Sequence, residues 1–263
     1  MGKVFNLGKL FGIEFRLHFT WFVIFILVTV LLVYPNYTQW LYWVIGVITS
    51  LLFFASVLAH ELAHSLVGRA NGIPIKSITL FIFGGVAQMT REATRAAAEF
   101  RMAAAGPICS LLIGGLFGLF LLIPNMPEPI ATMIRWLAIM NGVLAVFNMV
   151  PGFPLDGGRV LRSLLWRFTG NYSRSTRIAT RVGQGIGYLL GLAGILIIIL
   201  SFILPSFSFS WFDGVWIVFI GWFLESAASA SYNQIRREEA LQSFNALSMT
   251  HPEHPVIPPY TQD

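Results

Sequence analysis

Residues 41–67 read LYWVIGVITSLLFFASVLAHELAHSLV, an apolar run whose far end carries His60, Glu61 and His64. A helix needs about 20 apolar residues to cross the hydrocarbon core, and this stretch exceeds that. Four further stretches qualify on the same measure: 102–123, 130–150, 183–204 and 211–231. A sixth, Phe19–Val33, is shorter but uncharged and can extend back past His18. A signal-peptide core would be followed by small residues at a cleavage site, whereas Tyr34, Pro35, Asn36 and Tyr37 follow here. The expected fold class is therefore an all-α polytopic membrane protein with six transmembrane helices.

Composition agrees. Of 263 residues, 56% are hydrophobic and 11% charged, against roughly 25% charged in a soluble domain. Such a chain cannot clothe itself in polar surface, which excludes a soluble enzyme, a disordered protein and a nucleic-acid binder. The net charge of +5 reads as a topology signal, because the basic residues sit between the apolar runs. With the N-terminus inside, sixteen of the seventeen Lys and Arg residues fall on inner segments, and Arg135 alone lies opposite. The positive-inside rule then puts both termini in the cytoplasm. Tyr34, Tyr37, Trp40, Tyr42 and Trp43 form the aromatic belt expected at the first outer turn. The single Cys109 excludes an internal disulfide or a cysteine-rich zinc site, and packing is its simplest role.

One inner segment departs from the helical pattern. Residues 73–89, IPIKSITLFIFGGVAQM, follow Gly72 and are interrupted by Gly84 and Gly85. Their Ile and Phe content predicts a β-hairpin, the alternative being an ordinary interfacial loop. A hairpin at membrane depth must be buried in protein or line a wet cavity.

His60-Glu61-Leu62-Ala63-His64 is an instance of HExxH. On a helix, positions i and i+4 share a face, so two imidazoles can grip one metal ion with the glutamate beside them to take a proton from water. Ionisable groups inside a membrane helix are costly unless they serve a site; the alternative is a buried polar contact between helices. Catalytic zinc usually has three protein ligands, so one remains to be found. Asp156 is the strongest candidate. It follows Pro151 and Pro154, which cannot continue a regular helix and let the chain aim a short carboxylate sideways. His60 lies nine residues before Arg69, about 13 Å along a helix. Histidines and carboxylate thus reach similar depth on the same side; the alternative for Asp156 is a capping residue beside Arg159. Zinc is favoured on ligand type and abundance, although Fe or Co suits the same donors.

HELAH in one membrane helix, followed by NMVPGFPLDGG (148–158) near the end of another, resembles the site-2 protease family of intramembrane zinc metalloproteases. The similarity extends over about residues 8–235 and includes FGGVAQ (83–88) and Ala105-Gly106-Pro107. The resemblance implies that His60, His64 and Asp156 are the ligands of one Zn²⁺ per chain and that Glu61 is the catalytic base. Asn148 would contact substrate, and the hairpin with Gly84 and Gly85 would bind an extended substrate strand. The implied activity is hydrolysis of peptide bonds within or near transmembrane segments, at a site toward the cytoplasmic side. The partners are then transmembrane protein substrates and the lipid bilayer, with the oligomeric state open.

A membrane zinc transporter using the same ligands is the alternative. The outer halves of the spans hold almost no His, Asp or Glu, which argues against a polar path across the membrane. Gly183, Gly187 and Gly191 recur every four residues and suit close helix packing. Asn141 suits an interhelical hydrogen bond, and Glu225 either tunes entry of substrate or water or lies idle near the inner surface. Residues 1–235 form the expected protease domain and 236–263 a cytoplasmic tail. His251 and His254 lie in its Pro-rich end, MTHPEHPVIPPYTQD, which reads as linker. That end resembles the opening of a CBS-type regulatory domain, which the chain is then expected to lack.

Overall fold

The computed structural model describes residues 4–82, 84–204 and 208–250. The CBS-like end and its histidines lie outside the described residues. The chain divides into two compact units, Met1–Val150 and Pro151–Asp263.

The first unit opens with an antiparallel hairpin, β1 (Val4–Leu10) and β2 (Ile13–His18). It turns through Phe11 and Gly12, both with positive φ (52° and 76°). Strict alternation in β2 buries Ile13, Phe15 and Leu17 and leaves Glu14, Arg16 and His18 partly out, the pattern of a strand with one packed face. Helix α1 (Thr20–Val33) and α2 (Trp40–Ala70) follow, then β3 (Ile75–Phe81), β4 (Gly84–Met89), α3 (Ala96–Phe120) and α4 (Glu128–Asn148). The expected hairpin is present as β3–β4, but it belongs to a larger sheet. β2 and β3 pair in parallel, giving the order β1-β2-β3-β4 with β4 at one edge.

The sheet is seated on the HELAH-bearing part of α2. Ile13, Phe15, Ile75 and Ile78 pack with Leu58 and Leu62, while Leu17 and Leu80 pack with Val57. Leu58 and Leu62 stand on either side of His60, so burying the sheet's apolar face fixes β3 and β4 beside the HELAH turn. Strands at this depth have their backbone groups satisfied by one another and by protein.

The second unit holds α5 (Asp156–Thr169), α6 (Tyr172–Ile203) and α7 (Trp211–Thr250). α5 was not expected from the sequence. It is amphipathic and polar on average, and it ends at Gly170 in the left-handed conformation (φ 66°), the usual helix stop. α6 begins eleven residues before the apolar run that suggested it, and α7 continues as helix to Thr250, into the expected tail. α6 and α7 meet through glycine: a Cβ on Gly187 would sit 2.8 Å from the Gly221 carbonyl, and one on Gly194 2.6 Å from that of Gly214. Small residues allow such backbone approach where lipid supplies no hydrophobic drive.

Among the described residues, the expectation of six spans is corrected to five helices long and apolar enough to cross a membrane: α2, α3, α4, α6 and the first 23 residues of α7. Thr20–Val33 has only 14 residues, about 21 Å of helix against a core of about 30 Å. The preceding residues, counted by the sequence as a possible extension, form β2 instead.

Candidate metal centre

His60 and His64 are both buried in α2, at 2% and 9% exposure. Their Nε2 atoms stand 3.1 Å apart, with the rings nearly perpendicular at 79°. Each ring is held from the other side by α3. The Nδ1 of His64 lies 2.7 Å from the Met102 carbonyl. A carbonyl only accepts, so this nitrogen carries the hydrogen and, in the neutral ring, Nε2 carries the lone pair. The Nδ1 of His60 lies 2.9 Å from the Ser110 hydroxyl. Gly106 lies against the same pair: a Cβ there would fall 2.1 Å from His64 Nε2 and 2.7 Å from His60 Nε2. The helix therefore comes too close to the two nitrogens for any side chain at 106.

Glu61 faces β4. A Cβ on Gly85 would lie 2.4 Å from Glu61 Cγ and 3.2 Å from its Oε1. Gly84 serves differently, since its φ of +123° is needed where the chain enters β4 and a Cβ there would meet nothing within 4 Å. Gly85 pairs with Leu80 and Gly84 with Phe81, so the same edge strand bears both glycines and abuts the glutamate.

Asn148 is the last residue of α4, and its Nδ2 donates to the Leu144 carbonyl at 3.0 Å. That bond spends one N–H of the amide on its own helix. Asn141, two turns earlier and fully buried, donates to Ser56 Oγ at 3.3 Å, the interhelical bond expected of it.

In the second unit Asp156 is the first residue of α5. The Pro151–Leu155 segment before it is clamped by glycines. A Cβ on Gly183 would meet the Phe153 carbonyl at 2.2 Å, and one on Gly158 would meet Phe153 N at 2.4 Å. The Arg162 guanidinium lies over the rings of Phe153 and Tyr172, 4.9 and 4.7 Å from their centroids. The glycine repeat of α6 thus has two jobs: Gly183 seats the aspartate-bearing loop and Gly187 meets α7. Glu225 of α7 accepts from Ser229 Oγ at 2.6 Å and from Tyr188 OH at 3.3 Å, a polar tie between α6 and α7. Cys109 donates weakly to the Ala59 carbonyl at 3.6 Å, consistent with packing.

His60 and His64 in the first unit and Asp156 in the second are the residues that offer metal-ligand atoms. Two imidazole nitrogens and one carboxylate oxygen are the donor set of a catalytic zinc site that keeps a position for water. Sequence reasoning named these three and Glu61. It missed the Met102 carbonyl and Ser110, whose only signal is their place on the helix after HELAH, and it noted Gly106 without a role.

Residues 48–126 and 123–194 match the family model described as Peptidase family M50. A candidate zinc metalloprotease of Synechocystis sp. is 42% identical over 98% of this chain and 67% of its own length. A zinc metalloprotease of Methanocaldococcus jannaschii is 35% identical over 78% of this chain and 58% of its own. The chain thus spans about three fifths to two thirds of these relatives. Among solved structures, the site-2 protease from Methanocaldococcus jannaschii superposes with a TM-score of 0.60 at 28% identity, covering 88% of this chain and 95% of that one. The chain belongs to peptidase family M50, the site-2 proteases. It is an integral membrane zinc metalloprotease.

Proposed function

We propose that His60, His64 and Asp156 hold one zinc ion and that Glu61 is the general base for hydrolysis of transmembrane protein substrates. The observation that carries this reading is the pair of buried imidazoles on the HELAH turn, their Nε2 atoms 3.1 Å apart. When bound, zinc lowers the pKa of its water to about 7 and polarises the scissile carbonyl. Glu61 takes the proton from the attacking water and returns it to the leaving amine. Asn148 Oδ1 accepts a backbone N–H of the substrate beside the scissile bond.

A substrate helix hides its carbonyls in its own hydrogen bonds, so it must unwind before attack. β4 is the edge strand and stands against Glu61. Strand addition along β4 holds the opened segment extended and delivers its carbonyl to the base. Preferred substrates are membrane segments with helix-weakening residues near the cytoplasmic leaflet. The cytoplasmic placement of both termini and of the site rests on the distribution of Lys and Arg. The family assignment leaves the transporter alternative without support.

The test is metal analysis joined to a cleavage assay on purified protein, with a transmembrane substrate and a soluble peptide side by side. Wild type should carry one zinc and cut the transmembrane substrate. Glu61→Gln should keep the zinc and lose about 10²–10⁴-fold in cleavage, while Asp156→Ala should lose both. A Glu61→Gln variant as fast as wild type removes Glu61 from this role.

A further inference from the structure

Met102, Gly106 and Ser110 occur at i, i+4 and i+8 of α3, one residue per turn on a single face. Opposite them His64 and His60 repeat the same four-residue step on α2. The match places a carbonyl behind one imidazole, a hydroxyl behind the other and bare backbone between. The two backing groups differ chemically. The Met102 carbonyl can only accept, so it fixes the His64 tautomer outright. The Ser110 hydroxyl can donate or accept, and its direction decides what His60 offers at Nε2. If Ser110 donates, the neutral ring carries its hydrogen on Nε2, pointed at His64 only 3.1 Å away, and the pair bonds to itself. If Ser110 accepts, the hydrogen moves to Nδ1 and both Nε2 lone pairs converge.

We propose that Ser110 is a positioning residue for the metal centre, accepting the Nδ1–H of His60 and so holding that ring in the tautomer whose Nε2 can bind metal. This rests on the reading of His60, His64 and Asp156 as zinc ligands. Ser110 is fully buried, so with the hydroxyl gone no solvent can take its place. Ligating histidines depend on such outer partners for orientation and basicity, and their loss costs about 10–100-fold in metal affinity.

The experiment measures zinc affinity of the purified full chain by competition with a chelator, for wild type, Ser110→Ala and Ser110→Thr. Nitrogen-15 NMR of the zinc-loaded proteins reports the His60 tautomer, and circular dichroism reports helix content. Ser110→Ala should weaken zinc binding about 10–100-fold with helix content unchanged, and Ser110→Thr, which keeps the hydroxyl, should restore it to within a few-fold. The His60 resonances should show hydrogen on Nδ1 in wild type and Ser110→Thr. Zinc binding by Ser110→Ala equal to wild type overturns the proposal, as does equal weakening by Ala and Thr, which would mark a packing role. A wild type that binds no zinc overturns the ligand reading itself and this proposal with it.

Discussion

A single methyl at position 85 is enough to displace Glu61. The Cβ of Gly85→Ala would have to share space with Glu61 Cγ, 2.4 Å away, and the backbone of β4 is held by its pairing with Leu80. Cleavage by Gly85→Ala should fall at least tenfold while zinc content stays at the wild-type level, measured in one preparation by metal analysis and substrate turnover. Gly84→Ala acts through φ instead and should cost stability as well. Glu14 offers a contrasting case at the surface of the sheet. Hydrogen bonds from Arg16 and then Lys9 hold its carboxyl below the usual 4.5. A depressed carboxylate stabilises the folded state above its ordinary value and loses that contribution as pH falls through the folded one. Amide protection factors in β1 and β2, exchange rates corrected for the intrinsic pH dependence, should therefore fall toward acid, and Glu14→Gln should remove that part of the pH dependence.

Among the elements, the edge strand is where binding and metal chemistry separate. Successive N–H groups of β4 point alternately at β3 and away from it. Proline introduced singly at Val86, Ala87 and Gln88 should therefore split into two classes: variants that lose an outward N–H cut slowly and keep zinc, and those that lose a ladder bond unfold the hairpin. Uniform behaviour across all three would speak against strand addition. The elements also show where the sequence was readable. HELAH and LDG were plain because ionisable groups stand out against apolar helix. The hairpin at 73–89 was legible from its breakers, Gly72, Pro74 and Gly84-Gly85. The β1–β2 hairpin went unread, although Ile13, Phe15 and Leu17 alternate with polar residues; Lys9 and Arg16 there were taken only for their charge. α5 escaped because a short amphipathic helix rich in arginine resembles an inner loop when apolar length is the criterion.

For the molecule as a whole, ion binding and stability are linked. A ligand that binds only the folded chain stabilises it by about 2.7 kcal/mol at a hundred times its Kd. Chelation should therefore abolish cleavage and lower the unfolding temperature of wild type, with zinc restoring both; His64→Ala should be indifferent to either treatment. Membrane character and span order were evident from hydropathy alone. The exact number of spans was not, since an apolar stretch shows that a segment tolerates lipid and says nothing of whether the residues before it turn to strand. The proposed ligand set spread over residues 60 to 156 came from the sequence because few chemistries need two histidines one turn apart and a carboxylate after a broken helix.

The brevity of α1 has a consequence for the lipid itself. At about 9 Å shorter than the hydrocarbon thickness, the apolar helix Thr20–Val33 does not reach both faces of an ordinary bilayer, and any lipid it does cross must thin to meet it. Thinning of that kind brings the aqueous phase nearer to whatever lies behind such a helix.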